Sequence, residues 1–289
     1  MKAVDPAARV PFGRKLAMGT GSLASFFGFA GPERLAWPVF GMILGVQPWL
    51  IGVALLIPRL WDAVTDPLMG RISDNTRSRF GRRRPYILLG AFLMGLLFTL
   101  MRLVSAWCSD GAMITWFIAF QILFFTAYTI FAVPYNALSY ELTPDYRERT
   151  SVMAYLGFFH KLGELLSGWA PAMLAFLSVG VFAYGVSSVS GEDAGSEITM
   201  GGVHAVAILI SVGAFFLCGS IPALFVKERF SAPKQGPEPV KIGQSVRAAL
   251  SSRPFVVLVA VIVLNTMSGI LASGIDQFVL VYYMYGGDE

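Results

Sequence analysis

Three charged residues lie on one face of an otherwise apolar segment. Arg59, Asp62 and Asp66 have the spacing i, i+3 and i+7, which places their side chains on the same side of a helix. A charged side chain inside a bilayer costs roughly 2.5–3.5 kcal/mol on insertion scales, so it usually has a function there. A cation beside two carboxylates predicts a site for a coupling ion, and an ion-paired structural network between helices is the alternative interpretation.

The composition identifies a membrane protein. Hydrophobic residues make up 55% of the 289 residues and charged residues 14%, and the mean hydropathy is +0.64. Several apolar runs reach about 20 residues, the length that a helix needs to cross a bilayer. We therefore predict an all-α polytopic protein of a plasma (inner) membrane, because backbone polar groups in lipid must bond within helices.

Charge and motif content argue against two other classes of protein. The net charge of +4 does not indicate a nucleic-acid partner, because the basic residues lie in loops where membrane topology explains them. The two histidines belong to no HExxH motif, so we expect no metal hydrolase and no enzyme. No cofactor is predicted, and the expected partners are the lipid bilayer and a small-molecule substrate.

The apolar runs predict about seven transmembrane helices, at residues 16–44, 49–73, 86–107, 112–140, 152–177, 203–226 and 255–285. Pro32, Glu33 and Arg34 interrupt the first run, which predicts either a broken helix that lines a cavity or a local ion pair. Lysine and arginine concentrate before the first span and in every second loop. The positive-inside rule therefore places the N-terminus in the cytoplasm.

The fifth span carries an unusual pair of charges. Lys161 and Glu164 have the spacing i, i+3 and can pair with each other. Two interpretations are open for this pair. It contacts the substrate, or it is a structural ion pair that tethers helix five to helix two or to the basic loop.

Two stretches of the chain carry the motifs of a known family. The first is residues 59–70 (RLWDAVTDPLMG) followed by residues 76–85 (TRSRFGRRRP). The second is residues 128–138 (YTIFAVPYNAL) followed by residues 141–149 (ELTPDYRER). They resemble the major facilitator superfamily and, within it, the glycoside–pentoside–hexuronide:cation symporter family of the melibiose permease. The resemblance implies a symporter of a sugar, glycoside or related solute that works by alternating access.

The resemblance also implies roles for individual residues. Asp62 and Asp66 would bind the coupling ion, Na⁺ or H⁺, together with Thr65 and Thr129. Carboxylate and hydroxyl oxygens are the ligands that a hard cation such as Na⁺ prefers. Tyr128 matches a position that contacts sugar. The predicted substrate-binding residues are Arg59, Tyr128, Asn136, Lys161 and Glu164.

Several positions depart from the melibiose permease. Ala132 stands where that protein has an acid on helix four, and Phe26 and Gly157 stand near the positions of an acid and an arginine. Asn136 replaces a tryptophan. The cation site is therefore better kept than the sugar site, and a non-sugar solute such as a lysolipid is the alternative substrate.

The basic loop after span two resembles the inner-loop signature of the superfamily. Membrane topology would explain several of its arginines, but arginine forks can also bond helix-terminal carbonyls and the carboxylates of neighbouring helices. Such contacts would form a cytoplasmic gate, with Glu141, Asp145 and Glu148 as the expected acidic partners. The predicted gate residues are Gly70, Asp74, Arg79, Gly81, Arg82 and Arg83.

The chain is short for a major facilitator transporter. Two six-helix halves need about 400 residues or more at ~20 residues per span plus loops. We expect a six-helix bundle (residues 1–226), a central cytoplasmic loop with an amphipathic helix (residues 227–253) and the first helix of an incomplete second bundle (residues 254–289). A truncated chain of this kind is expected to be inactive as it stands, and a non-transporting remnant is a further alternative.

Overall fold

The computed structural model describes residues 9–36, 47–102, 110–169, 206–228 and 251–278. The regular elements in these residues are helices, as expected for an all-α protein. They are α1 (Phe12–Ala36), α2 (Pro48–Asn75), α3 (Arg84–Arg102), α4 (Asp110–Glu141), α5 (Tyr146–Gly168), α6 (Val206–Phe225) and α7 (Arg253–Phe278). A π-helical stretch, Ser211–Cys218, occupies the middle of α6.

The helices fall within or close to the predicted spans. Three of them contain a segment long and apolar enough to cross a membrane, Arg84–Met101, Thr115–Glu141 and Val206–Phe225. α2 matches its predicted span and carries charged residues from Arg59 to Asp74. The predicted ends of spans one, three, five and seven, the start of span six, and the amphipathic helix of the loop lie outside the described residues.

The chain separates into two compact units, Met1–Ser231 and Ala232–Glu289. The first unit contains α1 to α6. The second contains α7, an apolar helix whose described side chains are exposed. The finer division of the chain at residues 226 and 253 stays a prediction.

An aromatic core holds the first unit together. Phe98 of α3, Phe124 and Phe131 of α4 and Phe215 of α6 are fully buried. The α3–α4 contact is close at Gly90, where an added Cβ would lie 2.6 Å from the backbone nitrogen of Phe131. Helices in lipid associate by such close packing, since apolar surface alone gives them no preference for each other.

Helix α4 is the element that positions the charged face of α2. It packs against α3 on one side and α2 on another, while α1 packs against α5 and α6. The hydroxyl of Tyr135 donates a hydrogen bond to the carbonyl of Met18 at 2.5 Å, which also links α4 to α1. Because the core fixes α4, the positions along α2 that its polar side chains, Thr126 and Thr129, contact are also fixed.

Candidate functional site

Carboxylates and hydroxyls meet between α2 and α4. The Thr129 hydroxyl donates to Oδ1 of Asp66 at 2.9 Å, and the hydroxyl oxygens of Thr65 and Thr129 are 3.4 Å apart. Both threonines are buried. The four-residue spacing of Asp62 and Asp66 puts both carboxylates on the α2 face that carries this contact. The structure thus brings the Asp66 carboxylate to the Thr129 hydroxyl, with the Thr65 hydroxyl next to Thr129.

Asp62 has an oxygen with no hydrogen bond. Its Oδ1 is buried, and no donor in the described residues reaches it. Its Oδ2 lies 3.9 Å from Nη1 of Arg59, beyond the usual 2.7–2.9 Å of a charge-assisted hydrogen bond. A buried carboxylate oxygen without a donor is available to a cation or a proton. The carboxylate and hydroxyl oxygens of this site therefore fit a hard cation, and the carboxylates fit a proton equally well.

Arg59 is held mainly by aromatic rings. Its guanidinium carbon lies 4.0 Å from the ring centroid of Phe29 and 4.8 Å from that of Phe125. Nη2 donates to the Phe29 carbonyl at 3.3 Å and lies 3.9 Å from Oε2 of Glu33. Glu33 thus lies near a charge on α2, a partner that the sequence did not indicate. Because both carboxylates lie 3.9 Å away, the N–H groups of the guanidinium make no short bond to either of them.

Two neighbouring side chains complete this region. Tyr128 is partly buried, and its hydroxyl lies 3.5 Å from that of Ser25 on α1. The indole N–H of Trp61 donates to the Thr126 hydroxyl at 2.9 Å, a second polar contact between α2 and α4. Trp61 was not predicted as a site residue, and no spacing rule points to its partner.

The remaining predicted substrate residues lie apart from these contacts. Asn136 is exposed on α4, two turns beyond Thr129. Lys161 and Glu164 pair within α5 at 2.6 Å, with side chains 76% and 44% exposed. The structure therefore shows the predicted pairing of Lys161 with Glu164. An ion pair this exposed within a membrane span requires water or a polar partner beside it.

An arginine cluster closes the other end of α2. Nη2 of Arg83 lies 2.7 Å from Oδ1 of Asp74, and its Nη1 lies 2.8 Å from Oε2 of Glu141. Arg82 donates to both oxygens of Glu141, at 2.9 and 3.0 Å. These contacts join the ends of α2 and α4 to the start of α3. We call Asp74, Arg82, Arg83 and Glu141 the arginine cluster.

Three of the residues expected in this cluster are placed elsewhere. Arg79 is exposed and makes none of the cluster's ion pairs. Asp145 caps the N-terminus of α5 by accepting from the backbone N–H of Glu148 at 3.0 Å. Glu148 pairs with Lys15. The expectation that Asp145 and Glu148 partner the basic loop is wrong, because Asp145 bonds the N-terminus of α5 and Glu148 bonds Lys15 of α1.

A further acid, Glu228, was missed from the sequence. Its Oε1 accepts from the backbone N–H of Arg83 at 2.7 Å, at the N-terminus of α3. Gly81 permits this approach, since it has φ +108° and an added Cβ would lie 2.9 Å from Oε1. In return, Arg84 donates to the last carbonyls of α6, at Ala223 (2.5 Å) and Leu224 (2.8 Å). The basic loop is thus joined to the segment that follows α6.

An ion pair between Lys15 and Glu148 joins α1 to α5. Nζ of Lys15 lies 2.8 Å from Oε1 of Glu148, and the same oxygen accepts from the backbone N–H of Val10 at 2.9 Å. Glu148 precedes the predicted fifth span. The hydrogen bond from Lys15, more than any other contact, lowers the pKa of this carboxyl below its usual value.

This pKa gives a pH dependence with a defined sign. A carboxyl with a lowered pKa in the folded state adds stability above its unfolded value of about 4.3, and that contribution is lost as the pH falls through the folded value. We expect Glu148→Gln to lower the free energy of unfolding by about 1–3 kcal/mol at pH 7. The difference from the wild type should shrink below pH 4.5, as measured by thermal unfolding in detergent. A difference that grows on acidification would contradict this assignment.

Carboxylates that meet hydroxyls between two apolar helices, and arginine–carboxylate contacts at the end of the same helices, fit a membrane transporter. The sequence model of the family described as MFS/sugar transport protein matches residues 40–289. The chain belongs to this family, and its apolar helices make it a multi-pass membrane protein.

Relatives of two substrate classes are similar to the chain. It is 32% identical over 217 residues to the uncharacterized symporter YnaJ of Bacillus subtilis, covering 75% of this chain and 43% of the relative. It is 31% identical over 167 residues to the putative glycoside/cation symporter YagG of Escherichia coli, covering 57% and 36%. It is 26% identical over 244 residues to the sodium-dependent lysophosphatidylcholine symporter 1 of Gallus gallus, covering 79% and 46%. The chain spans less than half the length of each of these relatives.

Proposed function

We propose that this chain forms the cation-coupling part of a symporter for a sugar, glycoside or related solute. Asp62 and Asp66 hold Na⁺ or H⁺, with the hydroxyls of Thr65 and Thr129 as further ligands. The contact that carries the proposal is the 2.9 Å hydrogen bond from Thr129 to Asp66, which joins a carboxylate to a hydroxyl across two helices. The unbonded Oδ1 of Asp62 supports it, because it provides a carboxylate oxygen that is available to a cation or a proton.

Substrate recognition would lie next to this site. Arg59 connects the two regions, since its guanidinium faces Asp62 on one side and the rings of Phe29 and Phe125 on the others. Tyr128 adds a hydroxyl, while Asn136, Lys161 and Glu164 offer polar groups farther along α4 and α5. A bound cation would weaken the hold of Asp62 on Arg59, which gives a physical route from ion binding to substrate binding.

The gate would lie at the cytoplasmic end. The arginine cluster joins α2, α3 and α4 at that end, with the N-terminus of the chain also in the cytoplasm. Alternating access then requires these contacts to strengthen in one state and weaken in the other. Gly70 lies on α2 just before the cluster, beside Val133 of α4, and an added Cβ would lie 3.7 Å from that side chain, an ordinary contact distance.

A lysolipid is the second candidate substrate. Ala132 and Phe26 are buried apolar residues at positions where the melibiose permease has acids. Aromatic rings around one arginine also fit an amphiphile with an anionic head, because arginine binds phosphate and carboxylate well. The similarity to sodium-dependent lysophosphatidylcholine symporters agrees with this candidate.

One screen tests the proposal and separates the candidates. The purified chain is heated in NaCl or in choline chloride of equal ionic strength, with glycosides, hexuronides or lysophosphatidylcholine added. We expect Na⁺ to raise the Tm and one solute class to raise it further. An equal Tm in both salts, with no pH dependence assignable to Asp62 or Asp66, would reject the coupling site. A full-length version that takes up none of these solutes would support the non-transporting alternative.

A further inference from the structure

A groove lies between the first turns of α1 and the last turn of α6. Its walls are the apolar side chains of Leu16, Ala17, Ile221 and Phe225, and Arg14 lies at its edge. Its volume of about 410 Å³ is within the usual range for small-molecule sites, roughly 300–1,000 Å³. Phe225 is 66% exposed, so this apolar surface is not covered by the described residues.

Arg14 shares a buried nitrogen without an acceptor with Arg82, Arg83 and Arg149, but unlike Arg82 and Arg83 it has no ion pair among the described residues. Its Nη1 is buried and has no hydrogen-bond acceptor among the described residues. Lys15 is paired with Glu148, Arg83 with Asp74, and Arg84 with the α6 carbonyls. Leaving a buried charged donor unsatisfied is costly, so an acceptor from outside the described residues would be bound here.

We propose that this groove binds an anionic phospholipid, with the phosphate on Arg14 and one acyl chain between α1 and α6. The guanidinium matches phosphate oxygens, and the wall residues match an acyl chain. The groove opens at the end of the bundle that carries the arginine cluster, because Arg84 bonds α6 directly beside Phe225. With that end in the cytoplasm, as proposed above, the negatively charged leaflet supplies such a lipid.

A lipid in this groove would hold two parts of the gate region together. α1 carries the Lys15 pair to α5, and α6 carries the carbonyls bound by Arg84. The bound lipid would therefore stabilise the packing of α1 against α6 without touching the carboxylates of α2. This inference does not depend on which solute is carried.

The test is a lipid titration of the purified chain in detergent. Phosphatidylglycerol and phosphatidylcholine with the same acyl chains are added, and bound lipid is counted by native mass spectrometry alongside the Tm. We expect phosphatidylglycerol to bind more tightly, and Arg14→Gln to weaken its binding about fivefold to tenfold. Arg14→Lys should retain part of the affinity, which also shows that the site tolerates substitution.

Gly13 allows the apolar part of the groove to be blocked separately. It lines the groove, and an added Cβ there meets nothing within 4 Å, so Gly13→Phe should fill the groove without disturbing the fold. Gly52 on α2 is equally open, so Gly52→Phe is the matched control. Arg77→Gln, an exposed loop variant, is the control for charge.

Three results would overturn the proposal. One is phosphatidylglycerol binding that is unchanged in both Arg14→Gln and Gly13→Phe, as would follow if residues 229–250 of the chain itself occupied the groove. Another is an equal loss in Gly52→Phe or Arg77→Gln, which would indicate non-specific attraction. The third is stabilisation by inorganic phosphate or glycerol phosphate equal to that by the lipid, since the acyl chain would then contribute nothing.

Discussion

Replacing Asp66 by asparagine is expected to abolish Na⁺- or H⁺-driven uptake by a full-length version while the helix bundle stays folded. Asparagine has nearly the same shape and can still accept the hydrogen bond from Thr129. It removes the negative charge that a cation needs and the group that a proton would titrate. Losing one charged ligand costs about 1.5–3 kcal/mol, so cation affinity should fall roughly 10- to 100-fold. The measurements are cation-driven uptake and the Na⁺-dependent rise in Tm.

Matched variants separate this effect from a loss of folding. Asp62→Asn should have the same outcome, because its orphaned oxygen would no longer carry charge. Asp145→Asn is the control, since Asp145 caps α5 and asparagine is also a good helix cap. Thr129→Ser should keep most of the activity and Thr129→Val should not. Uptake that remains cation-driven in both aspartate variants would refute the coupling site.

Replacing Arg83 by glutamine is expected to break the arginine cluster. The Arg83 side chain is only 5% exposed and forms ion pairs with both Asp74 and Glu141. The variant therefore removes the positive charge between these two carboxylates. Removing one partner of a buried ion pair costs about 3–5 kcal/mol. Because Asp74 is 55% exposed and solvent screens it, we expect a loss of about 2–3 kcal/mol. The measurements are thermal unfolding and the labelling rate of a cysteine introduced at Ser73, which is 1% exposed beside the intact cluster.

Two comparisons make this prediction specific. Arg79→Gln removes the same charge from the same loop but should change neither quantity, because Arg79 lies outside the cluster. Adding Asp74→Asn to Arg83→Gln should recover part of the stability, since it removes one of the repelling carboxylates. Equal effects of Arg79→Gln and Arg83→Gln would mean that loop charge alone, and not the cluster, controls this end.

Local sequence patterns predicted the elements of this protein well. The apolar runs predicted the seven helices of the described residues, because a helix in lipid is determined by composition and length within one segment. The i, i+4 spacing predicted that Asp62 and Asp66 share a face, because the helical period fixes that geometry. The i, i+3 spacing likewise predicted the pairing of Lys161 with Glu164. The family motifs named Thr129 as a neighbour of the carboxylates, although no local pattern connects it to them.

Partners distant in sequence were predicted less well. Asp145 and Glu148 were as plausible as Glu141 as partners of the basic loop, because all three are acids in the short segment between spans four and five. Glu228 lies 145 residues from Arg83 and was not considered, and Glu33 was compared only with its neighbour Arg34. Charge and composition limit which residues can pair, but they do not specify which pairs form.

The sequence by itself thus determined a helical membrane protein with two carboxylates on one face of α2 and a basic loop after it. Only the tertiary structure decided that Thr129 meets Asp66 across 63 residues of chain, that Phe29 and Phe125 enclose Arg59, and that Arg83 bonds Asp74, Glu141 and the Glu228 carboxylate. The physical reason is the range of the interactions. Helix formation and facing depend on residues within a few turns, whereas these contacts depend on how α4 and α6 pack through the aromatic core.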